Sequence, residues 1–224
     1  MNTDQTTTTK KRALLAGATG LVGCKILHLL SKDSMIAEVR ALTRRPLPSE
    51  GKSTVVKELI TDFDKLQEHP EWFEVDTVFC ALGTTIAKAK TQMAFRRVDL
   101  DYPLTIAKLA RAQGARHFLL VSAIGANPRS RFFYNRIKGE LEEAILAVGY
   151  PSVTIARPSM LLGDRQEYRL GEHIAKKITW LFPSFWAGVQ ASQVASALVQ
   201  AAHRTAAGVT ILDNRTMRSI KMEG

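Results

Sequence analysis

The stretch Ala13-Leu14-Leu15-Ala16-Gly17-Ala18-Thr19-Gly20-Leu21-Val22-Gly23 joins a short apolar run to three glycines and the start of an amphipathic pattern. Residues 13–17 predict a buried strand, and apolar residues at helical spacing over 21–30 predict a helix. A G-x-x-G-x-x-G loop between a strand and a helix is typical of dinucleotide binding. The glycines allow a tight turn, close approach of a pyrophosphate and close packing of the helix, whose free amides face the phosphates. A simple strand-to-helix turn is the alternative.

Short apolar runs alternate with helical patterns along the rest of the chain. Strands are predicted at residues 13–17, 39–43, 54–59, 77–82, 118–122, 153–156 and 209–212, and helices at 21–30, 104–112, 137–148 and 193–203. This alternation predicts βαβ units and a parallel sheet covered on both faces. The fold class is therefore α/β, a doubly wound, mainly parallel sheet of the Rossmann type with a small C-terminal region that covers the substrate.

The length of 224 residues fits one domain. Residues 1–12 are polar and threonine-rich, which predicts a disordered arm before a single domain at 13–224. Residues 159–189 break the alternation and are expected to lie over the carboxyl ends of the strands, on the substrate side. Towards its end the segment carries a cluster of four aromatic residues that either pack in a core or line an apolar pocket, namely Trp180, Phe182, Phe185 and Trp186.

The charge balance and the cysteine count limit the partners. Thirty-one basic and 21 acidic residues give a net charge of +10, which permits an anionic ligand. The basic residues are dispersed and form no recognition motif, so no nucleic-acid partner is expected. Two cysteines, and five histidines without paired spacing, predict neither a disulfide framework nor a metal site. The chain lacks an apolar run of about 20 residues, and we expect a cytoplasmic protein without integral membrane contact.

The choice of cofactor depends on the end of the second strand. About 20 residues after the glycine loop, NAD-binding folds carry an acidic residue that binds the ribose 2′-hydroxyl. This chain has Arg44 and Arg45 there. A guanidinium binds a phosphate through paired hydrogen bonds, so the sequence favours NADP(H), with Arg44 and Arg45 on the adenosine 2′-phosphate. A solvated basic turn is the alternative.

Two later strand ends are predicted to line the same groove. Asp62 and Phe63 can cap the adenine with an amide and an aromatic edge, or Asp62 can simply cap a helix. The run Leu82-Gly83-Thr84 can approach the adenosine ribose and the pyrophosphate, because glycine permits close contact with the backbone. An ordinary turn is the alternative there.

A Tyr-x-x-x-Lys pair supplies the candidate reactive groups. Tyr134 and Lys138 lie on one face of a predicted helix, so the ammonium is expected near the phenol and to lower its pKa towards neutrality. Ser122, at the end of the fifth strand, can hydrogen-bond the substrate oxygen. In the reduction direction Tyr134 would protonate the oxygen while a hydride reaches the carbonyl carbon. The predicted catalytic residues are therefore Ser122, Tyr134 and Lys138.

The chain resembles atypical members of the short-chain dehydrogenase/reductase superfamily, and in particular the Tat-interacting-protein oxidoreductases. The residues that carry the resemblance are Gly17 to Gly23, Cys80-Ala81-Leu82-Gly83-Thr84-Thr85, Arg97-Val98-Asp99-Leu100-Asp101-Tyr102, Phe133-Tyr134 to Lys138-Gly139-Glu140, Arg157-Pro158-Ser159 and Asp164-Arg165-Gln166-Glu167. The resemblance implies NADPH binding, a Ser122, Tyr134 and Lys138 triad, and passage of Arg157-Pro158 near the nicotinamide. This chain differs from many superfamily members at one position, because it has Asp99 where they carry an asparagine. The resemblance therefore does not extend to a proton relay through that residue.

The predicted cofactor-binding residues are Gly17, Thr19, Gly20, Leu21, Val22, Gly23, Arg44, Arg45, Asp62, Phe63, Leu82, Gly83, Thr84, Tyr134, Lys138, Arg157 and Pro158. The leading hypothesis is an NADPH-dependent oxidoreductase acting on a carbonyl or hydroxyl group of a small molecule. One alternative is an NADPH-sensing regulatory protein that binds a protein partner without turnover. Another is an enzyme similar to nucleotide-sugar epimerases or dehydratases. The sequence leaves both a monomer and a homodimer open.

Overall fold

A parallel sheet of seven strands organises the chain. The computed structural model describes residues 10–48, 53–163, 188–204 and 206–220. The strands are β1 Lys11–Ala16, β2 Ile36–Thr43, β3 Val56–Ile60, β4 Thr77–Cys80, β5 His117–Val121, β6 Ser152–Ala156, β7 Leu161–Leu162, β8 Val189–Gln190 and β9 Gly208–Leu212. The helices are α1 Leu21–Ser31, α2 Ile86–Ala89, α3 Gln92–Arg96, α4 Tyr102–Ala112, α5 Phe133–Ala147, α6 Ala191–Arg204 and α7 Asn214–Arg218. All seven predicted strands and all four predicted helices are therefore confirmed.

The order of the strands creates a crevice. The order is β3-β2-β1-β4-β5-β6-β9, and every neighbouring pair is parallel. The chain moves outward from β1 in one direction through β2 and β3, and then returns to β4 on the other side. The strand order reverses between β1 and β4, and ligands of doubly wound folds bind at the carboxyl ends of the strands at such a point.

The apolar run of β1 is buried on both of its faces. Leu14 belongs to the core that packs under α4 and α5, whereas Leu15 belongs to the core under α1 and α6. Successive side chains of a strand point to opposite faces, so a sheet covered on both sides requires a continuous apolar strand. Burial of each leucine contributes roughly 2 kcal/mol. These two cores fix β1, and with it the glycine loop that follows.

A π turn interrupts the long helix in front of the crevice. The segment begins as α3, passes through a π-helical turn at Arg97–Asp101 and continues as α4. Asp99 lies in this turn and is fully buried. Turns of this kind occur frequently at functional sites. The sequence analysis predicted the α-helical part at 104–112 but neither α3 nor the π turn.

Two predicted segments fall partly outside the described residues. The structure places Lys11 and Arg12, which were assigned to the N-terminal arm, in β1, and residues 1–9 are not among those described. Most of the expected substrate cover, residues 164–187 with the cluster Trp180, Phe182, Phe185 and Trp186, also lies outside them. At its two ends, β7 pairs in parallel with β8 through Leu161 and Val189.

Candidate functional site

The glycine loop has the close contacts that the sequence predicted. Gly17 has φ +92°, and a Cβ at this position would lie 2.5 Å from the carbonyl oxygen of Ala81, which follows β4. A Cβ at Gly23 would collide with the carbonyl oxygen of Gly17. Only glycine fits at both positions. The loop therefore lies between the ends of β1 and β4, with α1 packed tightly against it.

Backbone amides at the start of α1 face out of the helix. Cys24 donates the first hydrogen bond of the helix, to Gly20 at 2.9 Å, so the amides of the three preceding residues lie before the helical ladder. Such a helix N-terminus favours an anion, because its amides and its dipole both attract negative charge. The glycine cradle and these amides together fit a pyrophosphate.

Two basic side chains are exposed at the end of β2. Arg44 and Arg45 follow the last residue of the strand, and neither guanidinium has a hydrogen-bond or ion-pair partner among the described residues. Unpaired guanidiniums beside a dinucleotide groove are available for a phosphate. The position and exposure of both residues fit the predicted contact with a 2′-phosphate, which stays a prediction.

Asp62 and Phe63, which follow β3, make contacts within the protein that differ from the predicted contact with the adenine. Asp62 caps a 3₁₀ helix at Phe63–Glu68 by accepting from the amide of Asp64 at 3.1 Å. The ring of Phe63 is buried and packs edge-on against Tyr102, with the centroids 5.5 Å apart. The expected aromatic edge for the adenine is therefore wrong, because Phe63 faces the core. The helix-cap alternative for Asp62 is confirmed.

The loop after β4 lies beside a buried ion pair. Nζ of Lys138 is 2.7 Å from Oδ1 of Asp99, and the two side chains are 4% and 1% exposed. Oδ2 of Asp99 accepts from the amide of Thr84 at 2.8 Å. A Cβ at Gly83 would lie 3.4 Å from the same carboxylate. The predicted run Leu82-Gly83-Thr84 thus contacts Asp99 directly, and Asp99 holds the loop and Lys138 together.

Tyr134 lies above this ion pair in the first turn of α5. Its ring packs edge-on against Phe95 of α3, with the centroids 5.8 Å apart, and the residue remains 36% exposed. Lys138 follows on the same face of the helix one turn later. A partly exposed phenol next to a buried ammonium is a group that can exchange a proton with a ligand in the crevice.

The pKa of Tyr134 is shifted in the direction opposite to the one predicted. Burial raises the pKa of this phenol above its ordinary value, the charge of Lys138 lowers it, and the charge of Asp99 raises it again. For Lys138, burial lowers the pKa and is the largest single effect, but the attraction of Asp99, Tyr134 and Cys80 and the hydrogen bond to Asp99 together outweigh it and raise the pKa overall. Because burial outweighs the charge of Lys138, the phenol stays protonated at neutral pH, and Asp99 adds to this effect. The prediction rested on the spacing of Tyr134 and Lys138 alone, which reports neither the burial nor Asp99.

Ser122 makes a side-chain contact that the sequence analysis did not anticipate. It is buried, and its hydroxyl donates to Oε1 of Glu142 on α5. Glu142 also accepts from Arg157, whose Nε lies 3.1 and 3.2 Å from the two carboxylate oxygens and whose Nη2 lies 2.5 Å from Oε2. A contact between Ser122 and a substrate oxygen stays a prediction, and it requires the bond to Glu142 to be exchanged.

The residues brought together at the carboxyl ends of β4, β5 and β6 form two groups. Tyr134, Lys138 and Asp99 form one, and Ser122, Glu142 and Arg157 form the other. Glu142 was missed, although its position offers a signal: it follows Tyr134 by eight residues and Lys138 by four, so all three share one helical face. Pro158, predicted near the nicotinamide, is buried directly after Arg157.

Comparisons with known proteins agree with this geometry. A family model described as NAD(P)H-binding matches residues 17–205. Protein HTATIP2 of Rattus norvegicus is 38% identical over 179 residues, which cover 79% of this chain and 74% of the relative. The mitochondrial protein FMP52 of Candida albicans is 35% identical over 182 residues, which cover 75% of this chain and 77% of the relative. A nicotinamide cofactor is thus supported.

The expected cytoplasmic location is wrong by the same comparisons. Several fungal relatives are named as mitochondrial proteins, among them FMP52-1 of Scheffersomyces stipitis at 38% identity and FMP52 of Eremothecium gossypii at 36%. General composition could not reveal this, because neither charge nor cysteine usage distinguishes the two locations. Within the described ranges, no helix is long and apolar enough to cross a membrane.

Solved structures share the fold at low sequence identity. MoeE5 in complex with UDP-glucose and NAD has a TM-score of 0.72 and 19% identity, over 90% of this chain and 75% of that one. The UDP-glucose 4-epimerase of Thermotoga maritima has a TM-score of 0.70 and 12% identity, over 90% of this chain and 76% of that one. The family model and the similarity to HTATIP2, rather than these structures of low identity, show that the chain belongs to the NAD(P)H-binding family.

Proposed function

We propose that the chain is an NADPH-dependent oxidoreductase that transfers a hydride between the nicotinamide and a carbonyl or hydroxyl group of a small molecule. The observation that carries the proposal is that Tyr134 lies one helical turn before Lys138, whose buried ammonium pairs with Asp99, and that the phenol interacts electrostatically with both charges. These groups lie at the carboxyl edge of the sheet, next to the crevice at which the strand order reverses. A proton donor and a dinucleotide site therefore share one edge.

The cofactor is held by the chain's own groups along this edge. The amides at the start of α1 bind the pyrophosphate, and Gly17 and Gly23 leave room for it. Arg44 and Arg45 bind the 2′-phosphate of the adenosine half, which supports NADPH over NADH. The ends of β4, β5 and β6 would receive the other half. When bound, the cofactor supplies the hydride.

Tyr134 is the general acid of the reduction. Its raised pKa keeps the phenol protonated at neutral pH, so it can donate to the substrate oxygen. The nearby Lys138 ammonium stabilises the phenolate that forms as the proton leaves. Asp99 keeps this ammonium in place, and it acts through Lys138 as a positioning residue. In the reverse direction the phenolate of Tyr134 would act as the base.

The experiment replaces only the phenolic hydroxyl. Purified wild type is assayed for NADPH oxidation with a panel of aldehydes, ketones and quinones, and Tyr134→Phe is assayed with every compound that gives turnover. We expect Tyr134→Phe to lose at least about a hundredfold in rate, the lower end of typical acid–base contributions, while NADPH affinity stays within about twofold. Tyr102→Phe is the control, because it removes a phenol that bonds Asp64 at 3.0 Å outside the site.

Two results would contradict the proposal. Turnover that survives in Tyr134→Phe would exclude this residue as the acid. A wild-type chain that binds NADPH but oxidises it with no compound of the panel would favour a regulatory protein that senses the cofactor.

A further inference from the structure

Glu142 is a buried carboxylate with three hydrogen-bond donors around it. It accepts from the Ser122 hydroxyl and from Nε and Nη2 of Arg157. Ser122 directly follows β5 and Arg157 directly follows β6. The backbone ties these two strand ends together as well, because the Ser122 amide donates to Ala156 at 2.8 Å. One carboxylate on α5 thus connects two strand ends to the helix that carries Tyr134.

The contact fixes the orientation of the Arg157 guanidinium. Nε and Nη2 both bind the carboxylate, so the planar group is held along one edge and cannot rotate freely. Nη1 lies in the same plane, at the edge away from Nε, and makes no hydrogen bond to Glu142. The side chain of Arg157 is 34% exposed, whereas that of Glu142 is 6% exposed. Arg157 therefore presents a pre-oriented donor edge at the end of β6.

The same contact determines what Ser122 can do. A hydroxyl has one proton, and in this structure it is donated to Glu142. Ser122 can still accept a hydrogen bond, but it cannot donate one to a carbonyl oxygen without leaving Glu142. Of the two residues predicted to contact the substrate oxygen, Ser122 and Tyr134, only Tyr134 has a hydroxyl proton that it does not already donate to Glu142.

We propose that Glu142 is a positioning residue that orients Arg157 towards the nicotinamide half of the cofactor. The inference rests on the proposed binding of NADPH. Arg44 and Arg45 lie at the end of β2 on one side of the crevice, and Arg157 lies at the end of β6 on the other. A dinucleotide whose 2′-phosphate lies on the first side extends its nicotinamide half towards the second.

The test compares two ligands that differ only in the nicotinamide. NADPH and 2′-phospho-ADP-ribose, which lacks the ring, are titrated by calorimetry into wild type and Glu142→Gln. We expect Glu142→Gln to weaken NADPH binding about tenfold or more, the effect of losing a charged hydrogen bond, and to change the affinity for 2′-phospho-ADP-ribose less than twofold. Glu140→Gln, which removes an exposed ion pair with Arg96 at 2.5 Å on the same helix, should change neither.

A second variant covers the case in which Glu142→Gln folds poorly. Arg157→Lys keeps the positive charge but cannot make the paired hydrogen bonds of Nε and Nη2 to the Glu142 carboxylate. We expect the same selective loss of NADPH affinity. Equal changes for both ligands, in either direction, would mean that Glu142 acts only on stability or on overall charge and would overturn the inference. No change for either ligand would overturn it too.

The readout is independent of the proposed chemistry. A selective loss of NADPH affinity, together with a chain that turns over no compound, would leave the positioning role intact and refute the oxidoreductase. Turnover that depends on Tyr134, with no selective loss in Glu142→Gln, would do the reverse.

Discussion

Nζ of Lys138 lies 2.7 Å from Oδ1 of Asp99, and both side chains are almost completely buried. An unpaired ammonium in this position would lower the pKa of the neighbouring phenol. The carboxylate offsets part of that charge, and burial, the largest effect, raises the pKa of Tyr134 above its ordinary value. Burial therefore keeps Tyr134 in its proton-donating form, and Asp99 limits how far the ammonium of Lys138 opposes it.

Removal of the Asp99 charge should lower the pKa of Tyr134. Asp99→Asn keeps the shape of the side chain but leaves the ammonium of Lys138 without its counter-charge. The charge of Asp99 raises the pKa of both Tyr134 and Lys138, so both pKa values should fall. Nuclear magnetic resonance of ¹³C-labelled tyrosine over a pH titration measures the phenol directly, with Tyr134→Phe to assign its signal.

The same variant should also lose stability. Breaking a buried ion pair costs about 3–5 kcal/mol, which urea unfolding at neutral pH can measure. Asp101→Asn changes an exposed carboxylate at the end of the same π turn and serves as the control. A phenol pKa that does not move, or that rises, would show that Asp99 does not control Tyr134.

NADPH should bind more tightly than NADH, because Arg44 and Arg45 at the end of β2 can bind its 2′-phosphate. Arg44→Ala, or the double variant with Arg45→Ala, should weaken NADPH about 10- to 100-fold, in line with a lost charged hydrogen bond, and leave NADH nearly unchanged. Fluorescence titration with the two reduced cofactors gives both affinities. Arg116→Ala removes an exposed charge at the opposite edge of the sheet, next to the start of β5, and should change neither. Equal affinities for both cofactors in wild type would refute the assignment.

The strands and helices of the sheet and its two covering layers were predictable from the sequence, because their burial follows from periodic apolar patterns. Continuous apolar runs such as residues 13–17 and helical spacing over 21–30 report burial directly, and the structure contains the corresponding elements. The π turn that contains Asp99 was not predictable in this way. It inserts an extra residue per turn, and what stabilises it is a contact with Lys138, 39 positions later in the chain.

Gly17 should be sensitive to a methyl group for two separate reasons. Its φ of +92° is unfavourable for alanine, and the added Cβ would lie 2.5 Å from the Ala81 carbonyl oxygen. Gly114 has a similar φ of +95°, but an added Cβ there would meet nothing within 4 Å, so Gly114→Ala isolates the backbone cost of roughly 1–2 kcal/mol. Gly17→Ala should lose more stability, by urea unfolding, and should also lose NADPH binding. Similar losses in the two variants would mean that contact with Ala81 is unimportant.

His117 should make the protein less stable in mild acid. It is buried against Thr154 at 2.9 Å, and burial lowers its pKa to about 4. The unfolded chain takes up a proton near pH 6.5 while the folded chain does not. The contribution of neutral His117 to the free energy of unfolding is therefore fully present above pH 6.5 and is lost as the pH falls towards 4. Between pH 7 and 5 the loss should be about 2 kcal/mol.

His117→Gln removes the titrating group, so its stability should change less over this range. Urea unfolding at pH 7 and 5 measures the difference, and His28→Gln, on the exposed surface of α1, is the control. A wild type equally stable at both pH values would contradict the buried neutral state of His117.

The candidate site was only partly predictable, and its errors share a cause. Tyr134, Lys138 and Ser122 were chosen from local spacing, which identifies neighbours on one helix but not the groups that other elements bring to them. Burial, with a smaller contribution from Asp99, reverses the expected pKa shift of Tyr134, and Glu142 accepts the hydrogen bond of the Ser122 hydroxyl. Phe63 was assigned to the ligand from its position after a strand, yet its ring packs in the core. Each error reflects a tertiary contact that no local pattern encodes.

The structure of the chain in complex with NADPH tests the central claim most directly. We predict that the 2′-phosphate lies on Arg44 and Arg45, that the pyrophosphate lies against the start of α1, and that the nicotinamide lies beside Tyr134. The reacting carbon should then leave room for a substrate oxygen within hydrogen-bond distance of the phenol. A nicotinamide that lies outside this crevice, with Tyr134 turned towards solvent, would contradict the account.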